Sequence, residues 1–162
     1  MIKKIFLHEI EDILVSPPFN AARWQGVILH HSTLMSFEHQ GKSIDHMHRN
    51  GLRQGYPPFK YGMGYHILIN ADGSIEVGDR WIRQLHGAHC VGYNQTHLGV
   101  CLAGNFDVMP PRQLQIDTLM RVIDFLAKYG ITKWGPHWRY RDTKCPGKLA
   151  PIDIIMNVKN RR

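Results

Sequence analysis

The chain has 162 residues, 43% of them hydrophobic and 20% charged, enough for one domain that buries a real core without disulfide or metal staples. Lys and Arg number 20 against 13 Asp and Glu, a formal charge of +7, which suggests an anionic partner (nucleic acid, a membrane surface or an acidic wall polymer) and is silent on fold. No apolar stretch reaches the length of a membrane span, the apolar run of Met1–Glu9 is too short for a signal peptide, and Cys90, Cys101 and Cys145 do not make a disulfide framework.

In chain order, residues 1–20 read as a short strand and a turn region ending at Ser16-Pro17-Pro18, an arm packed on a single domain spanning 1–162. Gln25 to His31 is a buried strand that stops in two histidines. Ser43 would cap a helix over Ile44–Arg49, ended by Asn50-Gly51. His46 and His48, two apart, point to different helix faces and read as solvent-facing. Tyr56–Lys60 is a loop and Met63–Asn70 a strong strand. Ala71-Asp72-Gly73-Ser74 carries the Asp-Gly hairpin signal, with Ser74–Val77 as the returning strand. Residues 81–86 would continue the sheet. After a loop of small and polar residues, Gly87–Asn94, Leu98 to Leu102 is another buried strand, in which Cys101 is an inert core thiol. Pro110-Pro111 starts the clearest helix, with Leu119, Met120, Ile123, Leu126 and Ala127 on one face and Gly130 at its end. Ile131–Trp134 is a short strand or extended piece leading to His137. Leu149–Val158 is a final helix with Pro151 in its first turn, and 159–162 is a basic tail. The pattern is that of a single α/β domain with a mixed central β-sheet flanked by helices.

Chemistry concentrates between His137 and Cys145. An imidazole and a thiolate are ligands that zinc selects, and His30, held at a strand end by a rigid element, is the best third ligand. Two histidines and one cysteine leave a tetrahedral ion one open position, the arrangement of a catalytic site. A small nucleic-acid-binding domain with a closed structural zinc would want a fourth protein ligand. No CxxC or comparable cluster supplies one, and the basic residues are scattered, so no nucleic-acid partner is expected.

Taken together, His30, Gly64-Tyr65-His66, the Gly87–Asn94 loop and the His137–Cys145 segment resemble the zinc-dependent N-acetylmuramoyl-L-alanine amidases, which include phage amidase-type lysozymes and the peptidoglycan recognition proteins. The match runs in order from about Val27 to Gly147. The resemblance implies a peptidoglycan-recognition/amidase-like fold, a Zn2+ cofactor on His30, His137 and Cys145, and cleavage of the amide between N-acetylmuramic acid and L-alanine of the stem peptide. It places Tyr65 beside the metal, although a strand aromatic packed on a helix is the other reading of that residue. Thr143 stands where family members carry lysine or threonine near the scissile carbonyl. Lys144 is displaced by one, so either could assist catalysis. His89 matches a histidine lining the substrate groove, Asn94 is a substrate contact or a turn residue, and His31, at a variable position beside the first ligand, is a candidate substrate contact.

The expected partners are bacterial peptidoglycan or muropeptides, met by a monomer. Without a signal peptide the protein would be made in the cytoplasm. From there it would act on the wall as a released phage or prophage lysin, or on recycled wall fragments in the cytoplasm. The alternative function is a non-catalytic peptidoglycan-binding protein on the same fold. Receptors of this kind often lose the cysteine, whereas this chain keeps all three matched ligands and the tyrosine.

Overall fold

The computed structural model describes residues 1–5, 9, 12, 19–35, 39–51 and 55–158. The expected turn at Ser16-Pro17-Pro18 and the basic tail lie outside the described residues. A six-stranded mixed sheet organises the rest, in the order β1-β4-β3-β5-β2-β6. Its strands are β1 (Lys3–Ile5), β2 (Gly26–His31), β3 (Ile67–Ile69), β4 (Ile75–Val77), β5 (His97–Leu102) and β6 (Trp134–Pro136). The edge formed by β1, β4 and β3 is antiparallel, while β3, β5, β2 and β6 run parallel. All six residues of β2 are buried. That follows from its place between two parallel neighbours with both faces covered, where a strand reads as a continuous apolar run.

The period of two divides the sheet into a core face and a site face. Val27 and Leu29 of β2, Ile67 and Ile69 of β3, Ile75 and Val77 of β4, and Leu98, Val100 and Leu102 of β5 pack into the main core. Helix α3 (Gln113–Lys128) closes that core with Leu119, Val122, Ile123, Phe125 and Leu126. Its buried stripe begins at Gln115, whose side chain donates to the carbonyls of Ile69 and Ala103 at 3.1 and 2.8 Å. Helix α3 thereby locks onto the ends of β3 and β5, and Gly130, at φ 78°, ends its last turn as expected.

On the other face Leu68 and Cys101 meet Ile44, Met63 and Tyr65 in a smaller cluster. Ile44 belongs to α1 (Gly41–Arg49). The buried Glu76 carboxylate accepts from Gly41 N–H at 2.8 Å, so a negative charge sits at the positive end of α1. At the other end Arg49 bonds Asp45 at 2.7 Å and Asp79 at 2.8 Å.

Several expectations are corrected. Helix α1 begins at Gly41, so Ser43 lies inside it rather than capping it. Residues 81–86 do not extend the sheet. Asp79 to Ile82 form a short helix, α2, because buried Trp81 and Arg80 turn inward, Arg80 donating to the carbonyls of Met63 and His86. The extended stretch entering β3 is buried from Met63 onward, but only Ile67–Ile69 pair as strand. The last helix, α4, is limited to Ile152–Met156, and β6 lies at Trp134–Pro136 rather than 131–134.

Buried and half-buried histidines set a pH limit on the fold, with His31, His89 and His97 shifted in the same direction as His66. His66 is fully buried, accepting from Gly99 N–H through Nδ1 and bonding Leu85 O through Nε2. Burial, with Arg80 nearby, pushes its pKa down to about 3 from the usual 6.5. The unfolded chain therefore takes up a proton as pH falls through 6.5 while the fold does not, and stability is lost progressively from about pH 6.5 toward 3. Hydrogen bonds and neighbouring cations outweigh burial at Asp72 and Asp79 and hold both below the usual carboxylate value. Between pH 6.5 and 4.5 the His66 contribution is about 2–3 kcal/mol. Melting followed by circular dichroism should show Tm falling by roughly 5–10 °C across that interval; a flat profile would contradict the assignment.

Candidate functional site

Parallel register brings the first two candidate ligands together. Leu29 of β2 pairs with Pro136 of β6, so the next residues on the two strands, His30 and His137, emerge side by side at the carboxyl ends, where open α/β sheets place their sites. Their ring centroids are 4.3 Å apart. Cys101 is the cysteine in register with His30, yet it is fully buried. The available sulfur is that of Cys145, delivered by the loop after the 3-10 turn His137–Arg139. That loop is closed by Trp138 N–H on Cys145 O at 3.0 Å. Cys145 N–H also donates to Thr143 Oγ1 at 3.2 Å.

Ligand atoms of His30, His137 and Cys145 all lie within 4.8 Å of one another. Cys145 Sγ stands 3.6 Å from His30 Nδ1. Zinc bonds of about 2.05 Å to nitrogen and 2.3 Å to sulfur, at a tetrahedral angle, separate those two atoms by about 3.6 Å. Donor chemistry and spacing therefore both suit zinc. His30 is buried and the other two are half-buried, so the group opens on one side.

The open side is a groove of about 380 Å³. Ile44, Met47 and His48 of α1 line it on one side, Thr143 and Lys144 on the other. Tyr65 lines it too, nearly buried, its ring 5.2 Å from that of His30. The backbone before Tyr65 is fixed by Gly64, whose N–H donates to His48 Nδ1 at 3.0 Å and whose carbonyl accepts from Ala88 N–H at 2.9 Å. A Cβ on Gly64 would stand 2.4 Å from Ala88 O, so that approach needs glycine.

His31 and His89 line the same groove, but both are committed within the protein. His31 Nδ1 accepts from Phe106 N–H at 3.2 Å. Its pKa is lowered by burial, against the pull of the Asp107 carboxylate. His89 sits behind His30, Nδ1 to Nε2 at 3.0 Å, and its own Nε2 meets His97 O at 3.1 Å. Burial, then the neighbouring His66, holds the His89 pKa well below the usual histidine value.

Of the two roles expected for Asn94, the geometry carries that of a turn residue. Asn94 is absent from the groove lining, and its side-chain oxygen accepts from His89 N–H and Cys90 N–H at 2.8 and 2.9 Å. With Gly87 N–H on Asn94 O at 2.8 Å, this is a turn residue that shapes the loop carrying His89.

His48, read from sequence as solvent-facing, is buried on the groove wall, while His46 is exposed as expected. The signal was present, since His48 follows Ile44 by four residues and so shares its face. Trp138 was also missed. It is 50% exposed and lines a second, more open hollow of about 670 Å³ with Lys144, Lys148 and Asp107, adjoining the first at Thr143 and Lys144.

The family model for N-acetylmuramoyl-L-alanine amidase matches residues 20–148. The endolysin of Escherichia phage T7 is 32% identical over 91 residues, which cover 52% of this chain and 58% of that protein. The chain thus spans little more than half of this curated relative. Among solved structures, the N-acetylmuramoyl-L-alanine amidase LysC of Clostridium intestinale is 27% identical with a TM-score of 0.71, over 91% of this chain and 93% of that one. A variant of Drosophila peptidoglycan recognition protein LB in complex with tracheal cytotoxin is 27% identical with a TM-score of 0.61, over 79% and 80%.

The packing behind His30 leaves no room for a methyl group at Gly99, where a Cβ would stand 2.6 Å from His89 Cδ2. Gly99→Ala should destabilise the protein by about 1–3 kcal/mol, as overpacking does, read as a fall in the urea midpoint. A midpoint equal to that of the parent chain would mean that His89 is not held against β5.

Proposed function

The chain belongs to the N-acetylmuramoyl-L-alanine amidase family, and on that footing we propose that it is a zinc-dependent peptidoglycan hydrolase cleaving the amide between N-acetylmuramic acid and L-alanine of the stem peptide. The observation that carries this reading is the convergence of His30, His137 and Cys145 at the floor of a groove that also presents Tyr65. His30 and His137 as neutral imidazoles and Cys145 as thiolate would hold the ion. When bound, zinc would supply Lewis-acid polarisation of the carbonyl and an acidified water.

The chain's own groups do the rest. Tyr65 projects beside His30 at the groove floor, where its hydroxyl can orient the attacking water or donate to the developing oxyanion. Thr143 Oγ1 accepts from Cys145 N–H, which leaves its own proton to donate toward the scissile carbonyl. Lys144 is exposed on the rim between the two hollows and supplies positive charge there. Thr143 is therefore favoured as the group near the carbonyl. The similarity to a phage endolysin and an amidase of Clostridium intestinale supports hydrolysis over recognition alone. It also favours a lysin acting on the wall. Among the described residues no helix is long and apolar enough to cross a membrane.

The substrate is a glycan bearing short peptides, so sugar must extend past the cleaved bond. The hollow at Trp138 adjoins the groove and offers an exposed indole, suited to the apolar face of a pyranose ring, beside the cations of Lys144 and Lys148.

Digestion of purified peptidoglycan followed by mass spectrometry should release stem peptides beginning with L-alanine. Chelator and Cys145→Ser should both abolish the release, and Tyr65→Phe should lower kcat about 10²–10³-fold. Intact muropeptides under every condition, with the protein sedimenting with the wall, would identify a receptor instead. On polymeric glycan, Trp138→Ala should raise KM by about tenfold, the worth of one modest contact, with a minimal muramoyl dipeptide unaffected. Equal effects on both substrates would remove Trp138 from the glycan path.

A further inference from the structure

We infer that His89 is a positioning residue which sets the tautomer of His30 and so aims the His30 Nδ1 lone pair at the Cys145–His137 side. His97 O can only accept, so His89 Nε2, 3.1 Å away, carries a proton. The ring is buried, and its hydrogen bonds go to a carbonyl and an imidazole rather than to a carboxylate; a second proton would place an uncompensated charge there. His89 Nδ1 is therefore an acceptor. It lies 3.0 Å from His30 Nε2, which must donate to it.

With its proton on Nε2, His30 has its lone pair on Nδ1, the nitrogen 3.6 Å from Cys145 Sγ. The chain His97 O, His89, His30 thus has one consistent direction of donation, and it ends at the metal-facing atom. Second partners of this kind orient a metal-ligating imidazole and raise its basicity.

The protein holds this arrangement by close packing as well as by hydrogen bonds. Cβ atoms on Gly87 and Gly99 would stand 2.4 and 2.6 Å from His89 Cδ2, so the ring occupies space that two glycines leave. The His89 backbone is fixed from the other side by Asn94. His89 therefore acts through His30 and not on substrate, although its edge reaches the groove lining.

The test compares His89→Leu, which keeps bulk but removes the acceptor, with His89→Gln, whose amide can accept from His30 and donate to His97 O. In the metal-free parent protein at pH 8, long-range ¹H–¹⁵N correlation of the imidazoles should place the His30 proton on Nε2. The preference should survive in His89→Gln and be lost in His89→Leu. Zinc affinity, measured by competition with a chromogenic chelator, should fall about 10–100-fold in His89→Leu and stay within a few-fold in His89→Gln. A His30 proton on Nδ1 in the parent, or parental zinc affinity in His89→Leu, would overturn the inference. The affinity arm rests on the zinc reading above. A parent chain that binds no zinc would defeat that reading, and the tautomer measurement on the metal-free protein would still decide the role of His89.

Discussion

The site depends on the parallel pairing of β2 with β6. A one-residue slip along that pairing would turn either His30 or His137 to the opposite face of the sheet, because side chains alternate with a period of two. Register is held by complete burial of β2 and by its position between β5 and β6, both parallel to it. The main core under Val27 and Leu29 therefore does more than stabilise the chain. It fixes which residues arrive at the strand ends and in what orientation.

A second requirement is room. The site face of the sheet holds imidazoles and a tyrosine where the core face holds aliphatic side chains, and the space comes from glycine. A Cβ on Gly64, Gly87 or Gly99 would stand 2.4–2.6 Å from a neighbour, Ala88 O for the first and His89 Cδ2 for the other two. Helix α1 then closes one side of the groove, held at its first turn by Glu76 and at its last by the Arg49 ion pairs. Polar groups crowded this closely are tolerable because they bond one another or the backbone.

Much of this was legible in the sequence. The strand ending in His30-His31, the Asp-Gly hairpin and the helix closed by Gly130 were each carried by local patterns, and the grouping of His30, His137 and Cys145 followed from residue chemistry together with a family resemblance. What escaped was set by tertiary contacts. Residues 81–86 looked like sheet because Trp81 and Ile82 are apolar, but Trp81 enters the core from a helical turn. His48 was misplaced because its spacing from His46 was weighed and its spacing from Ile44 was not. Asn94 was open between substrate contact and turn residue because loop position alone does not say which way an amide points; two backbone N–H groups inside the loop meet it. The role of His89 could not be read at all without the carbonyl of His97.

Sulfur placement has a further consequence. Cys90 and Cys101 are buried, and burial raises the Cys90 thiol pKa, so neither offers a ready thiolate to reagents in solution. Cys145 is the half-exposed one. Alkylation or oxidation of the native protein should thus fall on a single sulfur, and that sulfur belongs to the group proposed to hold zinc. A sulfenate there could no longer serve as a simple thiolate donor, so in the proposed zinc site oxidative damage and loss of the ion would be the same event. Conversely, an occupied site shields its own thiol. The reactivity of one cysteine in the folded chain is then a direct gauge of how full the site is.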